Sequence, residues 1–419
     1  MTISNFTEKN FDIKFINIFF LISVLLCIFH LYLLTSEFPT KYTYTEWLIN
    51  YEGGFIKRGL TGQIAIQISK FFTLDLKYSI LVIQITGYLI YFYVYYLFIR
   101  KINLNFFWYC ILLSPLLFNY PQFELEALGR KDIFIISCFL IFCSIKYKNK
   151  TSIILNFILF FSISTLIHEI TIFYIFHYLY IIYLKALLLN EKLNYKNIIF
   201  ISFVTLFLIF LIMYVSRFAN IEQMVNAYQN ELITTSSGSI SWLKPSFEQI
   251  LSSTLKQINI FNIIRYIFIY LLALTPFLLF IKNKKENSLK FLNINLILIL
   301  SIIFSIPMHL LIYDWGRIVY FNFNFLIIIF IFIFQSFENV DKIYLEKKIK
   351  KISIKIKVFI LLICCFSFYP QITMKDNLST IPYVKVIIKT SKNIIKLTPL
   401  ENYFRNLQEK INSNFINKI

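Results

Sequence analysis

Runs of about 20 apolar residues recur down this chain, starting with KFINIFFLISVLLCIFHLYLL at 14–34. A helix of that length rises about 30 Å, enough to cross the hydrocarbon core of a bilayer. In lipid a backbone must satisfy its hydrogen bonds within its own segment, so such runs are expected to be helices. Apolar residues make up 58% of the chain and mean hydropathy is +0.69, well above the level of a soluble domain. Eleven spans are expected, at 14–34, 78–99, 104–119, 132–145, 152–168, 170–189, 197–216, 261–281, 291–312, 318–335 and 357–371. The first run has no small-x-small cleavage site after it and reads as a retained helix. No repeat and no Pro/Gly/Ser linker divides the chain. The expected fold is an all-α integral membrane protein with about 10–11 transmembrane helices. It forms one multispanning domain over 1–372, including outer loops 35–77 and 217–260, with a basic tail at 373–419.

Net charge is +19, yet its distribution argues against nucleic acid, because the cations track short connections between spans. The N-terminus with 100–103, 146–150, 185–196, 282–290 and 342–357 carries 21 Lys and Arg. The other set, 35–77, 120–131, 217–260 and 313–317, carries 11 although it contains the longest loops. The first set is therefore expected in the cytoplasm, with the N-terminus inside. The last span is short, and the side of the tail stays open. All six cysteines fall inside apolar runs and read as packing residues. No nucleotide-binding motif is present.

Rare residue types collect on the expected outer side. NYEGGFIKRGLTG (50–62) holds four of the eight glycines, with Glu52, Lys57 and Arg58. Its glycines permit a tight turn into a helix along the membrane surface, whose N-terminus and flanking cations suit phosphate. NYPQFELEALGRKD (119–132) carries Glu124, Glu126, Arg130, Lys131 and Asp132 at the head of a span. His168 and Glu169 sit between two apolar runs with almost no loop, a pair suited to acid–base work or to holding a cation. Asp314 and Arg317 flank Trp315 and Gly316, more than an aromatic belt needs. Loop 217–260 reads as a helical lid. Arg265 enters the next span about one turn deep, placed to snorkel outward or to bind an anion. His30, His177 and His309 read as hydrogen-bonded packing residues. Neither a cofactor nor a metal is indicated, although a divalent metal stays open.

Glu-Gly-Gly-Phe-x-Lys-Arg-Gly-Leu-x-Gly, then Gly-Arg-Lys-Asp, His-Glu and Asp-Trp-Gly-Arg, together covering about 45–335, resemble a family of bacterial surface-polysaccharide proteins. These are the O-antigen or capsule repeat-unit polymerases (Wzy-type) and related GT-C-like glycosyltransferases. Family members often have two arginines where this chain has Lys57-Arg58; a lysine binds phosphate without the bidentate fork. The resemblance implies glycosyl transfer from a polyprenyl-diphosphate-linked glycan on the outer face of the cytoplasmic (inner) membrane. It implies a carboxylate base in the first outer loop, for which Glu52 fits, with Glu169 or Asp314 as substitutes. Lys57, Arg58, Arg130, Lys131 and Arg317 would hold the diphosphate, and a chain-length regulator is an implied partner. Three other readings stand beside it: a GT-C enzyme adding one sugar from a polyprenyl monophosphate, a lipid-linked oligosaccharide flippase, and an acyltransferase using His168. Against the flippase, no inverted repeat or paired broken span is visible.

Overall fold

A computed structural model describes residues 3–102, 104–192, 194–228, 232–277, 294–336, 349, 351–366, 383, 386–388, 390 and 391. Among them the regular structure is entirely helical. Helix α1 spans Ile3–Leu34, and two short helices follow its loop, α2 at Tyr42–Trp47 and α3 at Gly59–Phe72. The bundle continues with α4 (Leu76–Ile99), α5 (Phe106–Leu113), α6 (Tyr120–Phe123), α7 (Leu125–Leu128), α8 (Asp132–Ser144) and α9 (Lys150–Ile167). A 3-10 turn at Glu169–Tyr174 leads into α10 (Ile175–Leu188), and α11 follows at Tyr195–Met213. Loop 217–260 folds into α12 (Ile221–Asn226), α13 (Gly238–Ser241) and α14 (Phe247–Gln257). Then come α15 (Ile260–Leu274), α16 (Ile294–Leu311), α17 (Trp315–Ser336) and α18 (Ile354–Phe366).

Six helical stretches among the described residues are long and apolar enough to cross a membrane, or seven if the bent pair α14–α15 is one span. The two halves of that pair meet at 88°, so loop 217–260 ends in a helix that runs across the entry to α15. The expected span at 104–119 is not one helix. Ser114 turns extended before Pro115 (ψ 126°), and α5 keeps only 8 residues, about 12 Å of rise. The expected span at 357–371 is helical to Phe366; 367–371 lies outside the described residues.

Helix α17 is the axis. Every residue from Trp315 to Phe334 is buried, as expected for a helix apolar all round. It packs against α8, α10, α15 and α16. Helix α11, in contrast, leaves Phe203, Leu206, Phe207 and Phe210 uncovered, as a lipid-facing helix must. Helix ends sort into two groups. At one end Lys185 reaches the last carbonyls of α8, and Gln335 donates to Phe98 O at the end of α4. At the other end meet α2, the starts of α3, α8 and α17, and the close of α9. The tail residues described lie on the bundle: Tyr383 donates to Leu113 O, and Thr390 pairs with His30.

Candidate functional site

The second group of ends holds a closed network of charged side chains. Arg317, in the first turn of α17, grips Asp132 at the head of α8 with a bidentate pair, Nε to Oδ2 at 2.6 Å and Nη2 to Oδ1. Its Nη1 is 3.6 Å from Asp314 Oδ2, which also accepts from Arg130 Nη1 at 2.7 Å. Arg58 grips Glu169 through Nε, at 2.9 and 2.8 Å from the two oxygens. Lys131 donates to Arg58 O at 2.7 Å and lies over the Trp47 ring. Three carboxylates and four cations thus meet at one end of an apolar bundle. Isolated charges there would be costly; mutual pairing is what makes the burial tolerable.

Backbone features set this up. The loop bearing Arg130, Lys131 and Asp132 is clamped through Gly129 O, which accepts from Trp47 Nε1 (2.8 Å) and Gln84 Nε2 (2.7 Å), while Tyr88 donates to Leu128 O. Arg58 adopts a left-handed conformation (φ 67°) that ends the glycine-rich turn and starts α3. Gly62 lets α3 lie directly on the backbone after α2: a Cβ there would sit 1.9 Å from Ile49 O. A Cβ on Gly53 would sit 2.0 Å from Asn220 O, and Gly53 O accepts from Asn220 N at 2.7 Å. The glycine cluster therefore seats loop 217–260 and α3 against the site.

The centre of the network is a residue the sequence reading passed over. Glu46 on α2 is 1% exposed, and neither of its oxygens has a hydrogen-bond partner. Its Oε1 lies 3.4 Å from His168 Nε2 and 3.9 Å from Arg317 Nη2. His168 Nδ1 accepts from Ile170 N at 3.2 Å and is 3.2 Å from Glu169 Oε2. The imidazole therefore stands between two carboxylates, one buried and one partly exposed. Burial works against ionising Glu46, but His168 and the charges of Arg317 and Arg130 outweigh it and hold the carboxyl well below its usual range. Burial pushes the Lys131 ammonium down to about 7. Lys57 is lowered too, by burial and by the adjacent Arg58 and Arg217, against the pull of Glu169. Among the described residues Lys57 and Arg217 have no carboxylate within ion-pair distance.

The expected site residues divide. His168, Glu169, Arg58, Arg130, Lys131, Asp314 and Arg317 come together as anticipated, but as a paired network and not around an open cavity. Glu52 stands apart. Its carboxylate is one-third exposed, accepts from Gln63 Nε2 at 3.2 Å and lies 3.4 Å from Lys70 Nζ. Trp315 is engaged in packing: Nε1 donates to His309 O, and the ring meets Tyr266 and His309 edge-on. Among the described residues no group of three or more His, Cys, Asp and Glu is placed to hold a metal ion.

Comparisons with protein-family models, curated proteins and solved structures gave no match. The chemistry of the site has to be read from its own geometry. An ionised, unsatisfied carboxylate is placed to accept a proton, the neighbouring imidazole to share it, and unpaired cations at the rim to meet an anion.

Proposed function

We propose that this chain is a glycosyltransferase of the outer face of a bacterial cytoplasmic membrane. It polymerises lipid-linked oligosaccharide repeat units of the O-antigen or capsule kind, using a polyprenyl-diphosphate donor. The observation that carries this reading is Glu46, buried at the centre of the network, with neither oxygen in a well-formed hydrogen bond among the described residues and His168 Nε2 at 3.4 Å from Oε1. In this reading Glu46, not Glu52, takes the proton of the acceptor hydroxyl. The acceptor oxygen bonds to the donor sugar's anomeric carbon, and the bond from that carbon to the diphosphate breaks. Lys57 and Arg217, which have no carboxylate to neutralise, face the departing diphosphate and stabilise its charge. Arg58, Arg130 and Arg317 hold the carboxylates in register. The donor bond supplies the energy, so no nucleotide or other cofactor is required. The same reading carries the finer fold, ten to eleven spans in a GT-C-like arrangement with a cytoplasmic N-terminus, and a chain-length regulator as partner.

The test is gene replacement followed by gel analysis of the surface glycan. Glu46→Gln keeps the side chain's shape and removes the base; chain growth should fall by about 10²–10⁴-fold with protein level unchanged. Glu52→Gln should leave long chains. Long chains from Glu46→Gln would remove Glu46 as the base. An accumulation of incomplete repeat units in place of single complete ones would turn the reading to a single-sugar transferase.

A further inference from the structure

At the same end of the bundle as the charged network, an open groove of about 470 Å³ runs between the loop after α1, the start of α4 and the outer loop near Tyr228. That volume lies within the about 300–1,000 Å³ usual for small-molecule sites. Its walls combine three kinds of group. Thr35, Ser36 and Tyr228 bring hydroxyl oxygens, each donating its proton to a backbone carbonyl and so left to act as an acceptor, and Phe38 and Tyr228 bring aromatic rings. Asp75 and Lys77 bring opposite charges that have no ion-pair partner among the described residues. Asp75 occupies the N-cap of α4 yet makes no capping hydrogen bond, so its carboxylate is uncommitted. Phe38 is held edge-on against Tyr44 of α2 at 5.3 Å. Tyr228 donates to Leu48 O and accepts from Asn50 Nδ2 at 2.8 Å, while Asn50 Oδ1 takes Glu52 N at 2.9 Å. One wall of the groove is therefore fastened to the segment that follows Glu46.

We infer that this groove receives a saccharide, the glycan of the acceptor that the site extends. The inference rests on the glycosyl-transfer reading. A bare phosphate would meet Asp75, a bare cation would meet Lys77, and an alkyl chain would strand both. A sugar presents donors and acceptors together with apolar C–H faces that lie against aromatic rings, and these walls complement all three. The fastening of Tyr228 to Leu48 and Asn50 fixes where a bound glycan stands relative to Glu46.

The experiment uses the full-length protein in nanodiscs. The probe is the oligosaccharide freed by mild acid from the lipid-linked saccharides of the producing cell. Binding is read by saturation-transfer NMR, with thermal unfolding as the control for folding. Sugar protons should saturate with the unaltered protein. Phe38→Ala and Asp75→Asn, both folded, should weaken binding by at least about tenfold. Absence of saturation, or saturation indifferent to both groove substitutions, overturns the inference. Glycerophosphoethanolamine tested in parallel is the second arm: if it alone binds and depends on Asp75 and Lys77, the groove is a lipid-headgroup site and the saccharide inference fails. A cell that contains no lipid-linked saccharide defeats the glycosyl-transfer reading itself, an outcome distinct from a groove that ignores the sugar.

Discussion

Lys185 and Lys131 are both buried cations in a chain that is mostly apolar, and they sit at opposite ends of the bundle. Lys185 is held by helix-end carbonyls and aromatic rings. It donates to Cys143 O at 3.0 Å and Ile145 O at 2.7 Å, and lies over the rings of Tyr147, Phe332 and Phe142. It closes the C-terminal end of α8, where a cation complements the helix dipole and the last carbonyls lack partners. Lys131 has one hydrogen-bond acceptor, Arg58 O, and sits among groups with unused capacity: both oxygens of Glu46, Nε2 of His168 and Nε of Arg130. A buried cation held by the last carbonyls of a helix and by three rings serves the fold. One placed among unsatisfied partners, at the end where unpaired Lys57 and Arg217 lie, fits a site that awaits a substrate.

The harshest way to break this comparison is to unbalance the network. Arg317→Leu leaves Asp132 and Glu46 without their guanidinium. Breaking a buried pair from one side costs about 3–5 kcal/mol, so the protein should be largely lost from the membrane. Arg317→Leu combined with Asp132→Leu removes both charges of the bidentate pair and should recover much of that stability, measured as the thermal midpoint in detergent. Recovered protein that still makes no polymer would separate the pair's structural role from its place in the site. If Arg317→Leu alone is as stable as the unaltered chain, the network is not what holds these helix ends.

Lys185→Met should have a smaller effect and a different kind of one. It strands two buried carbonyls, at about 1–3 kcal/mol, and lowers the thermal midpoint. Activity per folded molecule should not change. A variant of normal stability with reduced turnover would erase the distinction between the two ends.

How far the sequence could foresee this arrangement depends on the kind of signal. Long apolar runs mark α4, α9 and α17 directly, because crossing a bilayer demands length and composition and little else. The break at Ser114–Pro115 lay inside an apolar run, where hydropathy outweighed proline's missing N–H and its effect on the preceding residue. Seven of the residues that meet in the network stood out in the sequence because charged types are rare between the apolar runs. Glu46 did not, since YTYTEWLIN looks like an ordinary loop and the resemblance drew the base to Glu52 beside the glycines that follow it. The signal was present in a weaker form: a lone carboxylate followed by Trp, Leu and Ile has apolar neighbours that carry it inside. The glycines read as a catalytic turn are explained by close backbone approach at Gly53 and Gly62, a tertiary contact that no local pattern announces.

The finest test of the comparison is electrostatic. Lys131 titrates near about 7 in the folded protein because burial disfavours its charge, against 10.5 for an ordinary lysine. Below about 7 both folded and unfolded chains hold this proton, so the group contributes no slope. Between about 7 and 10.5 only the unfolded chain holds it, and stability rises with pH across that window. The same relation read downward says that stability present at high pH is lost as pH falls toward the folded value. Lys131→Met keeps most of the stem and removes the titration. Thermal midpoints taken across this window should therefore climb more steeply for the unaltered protein than for Lys131→Met, with the difference vanishing below about pH 7. Identical slopes would mean that Lys131 stays charged in the folded state, compensated by Glu46 and Glu169. The charge of Lys131 would then be compensated within the network, and its unsatisfied oxygens would no longer distinguish one end of the bundle from the other.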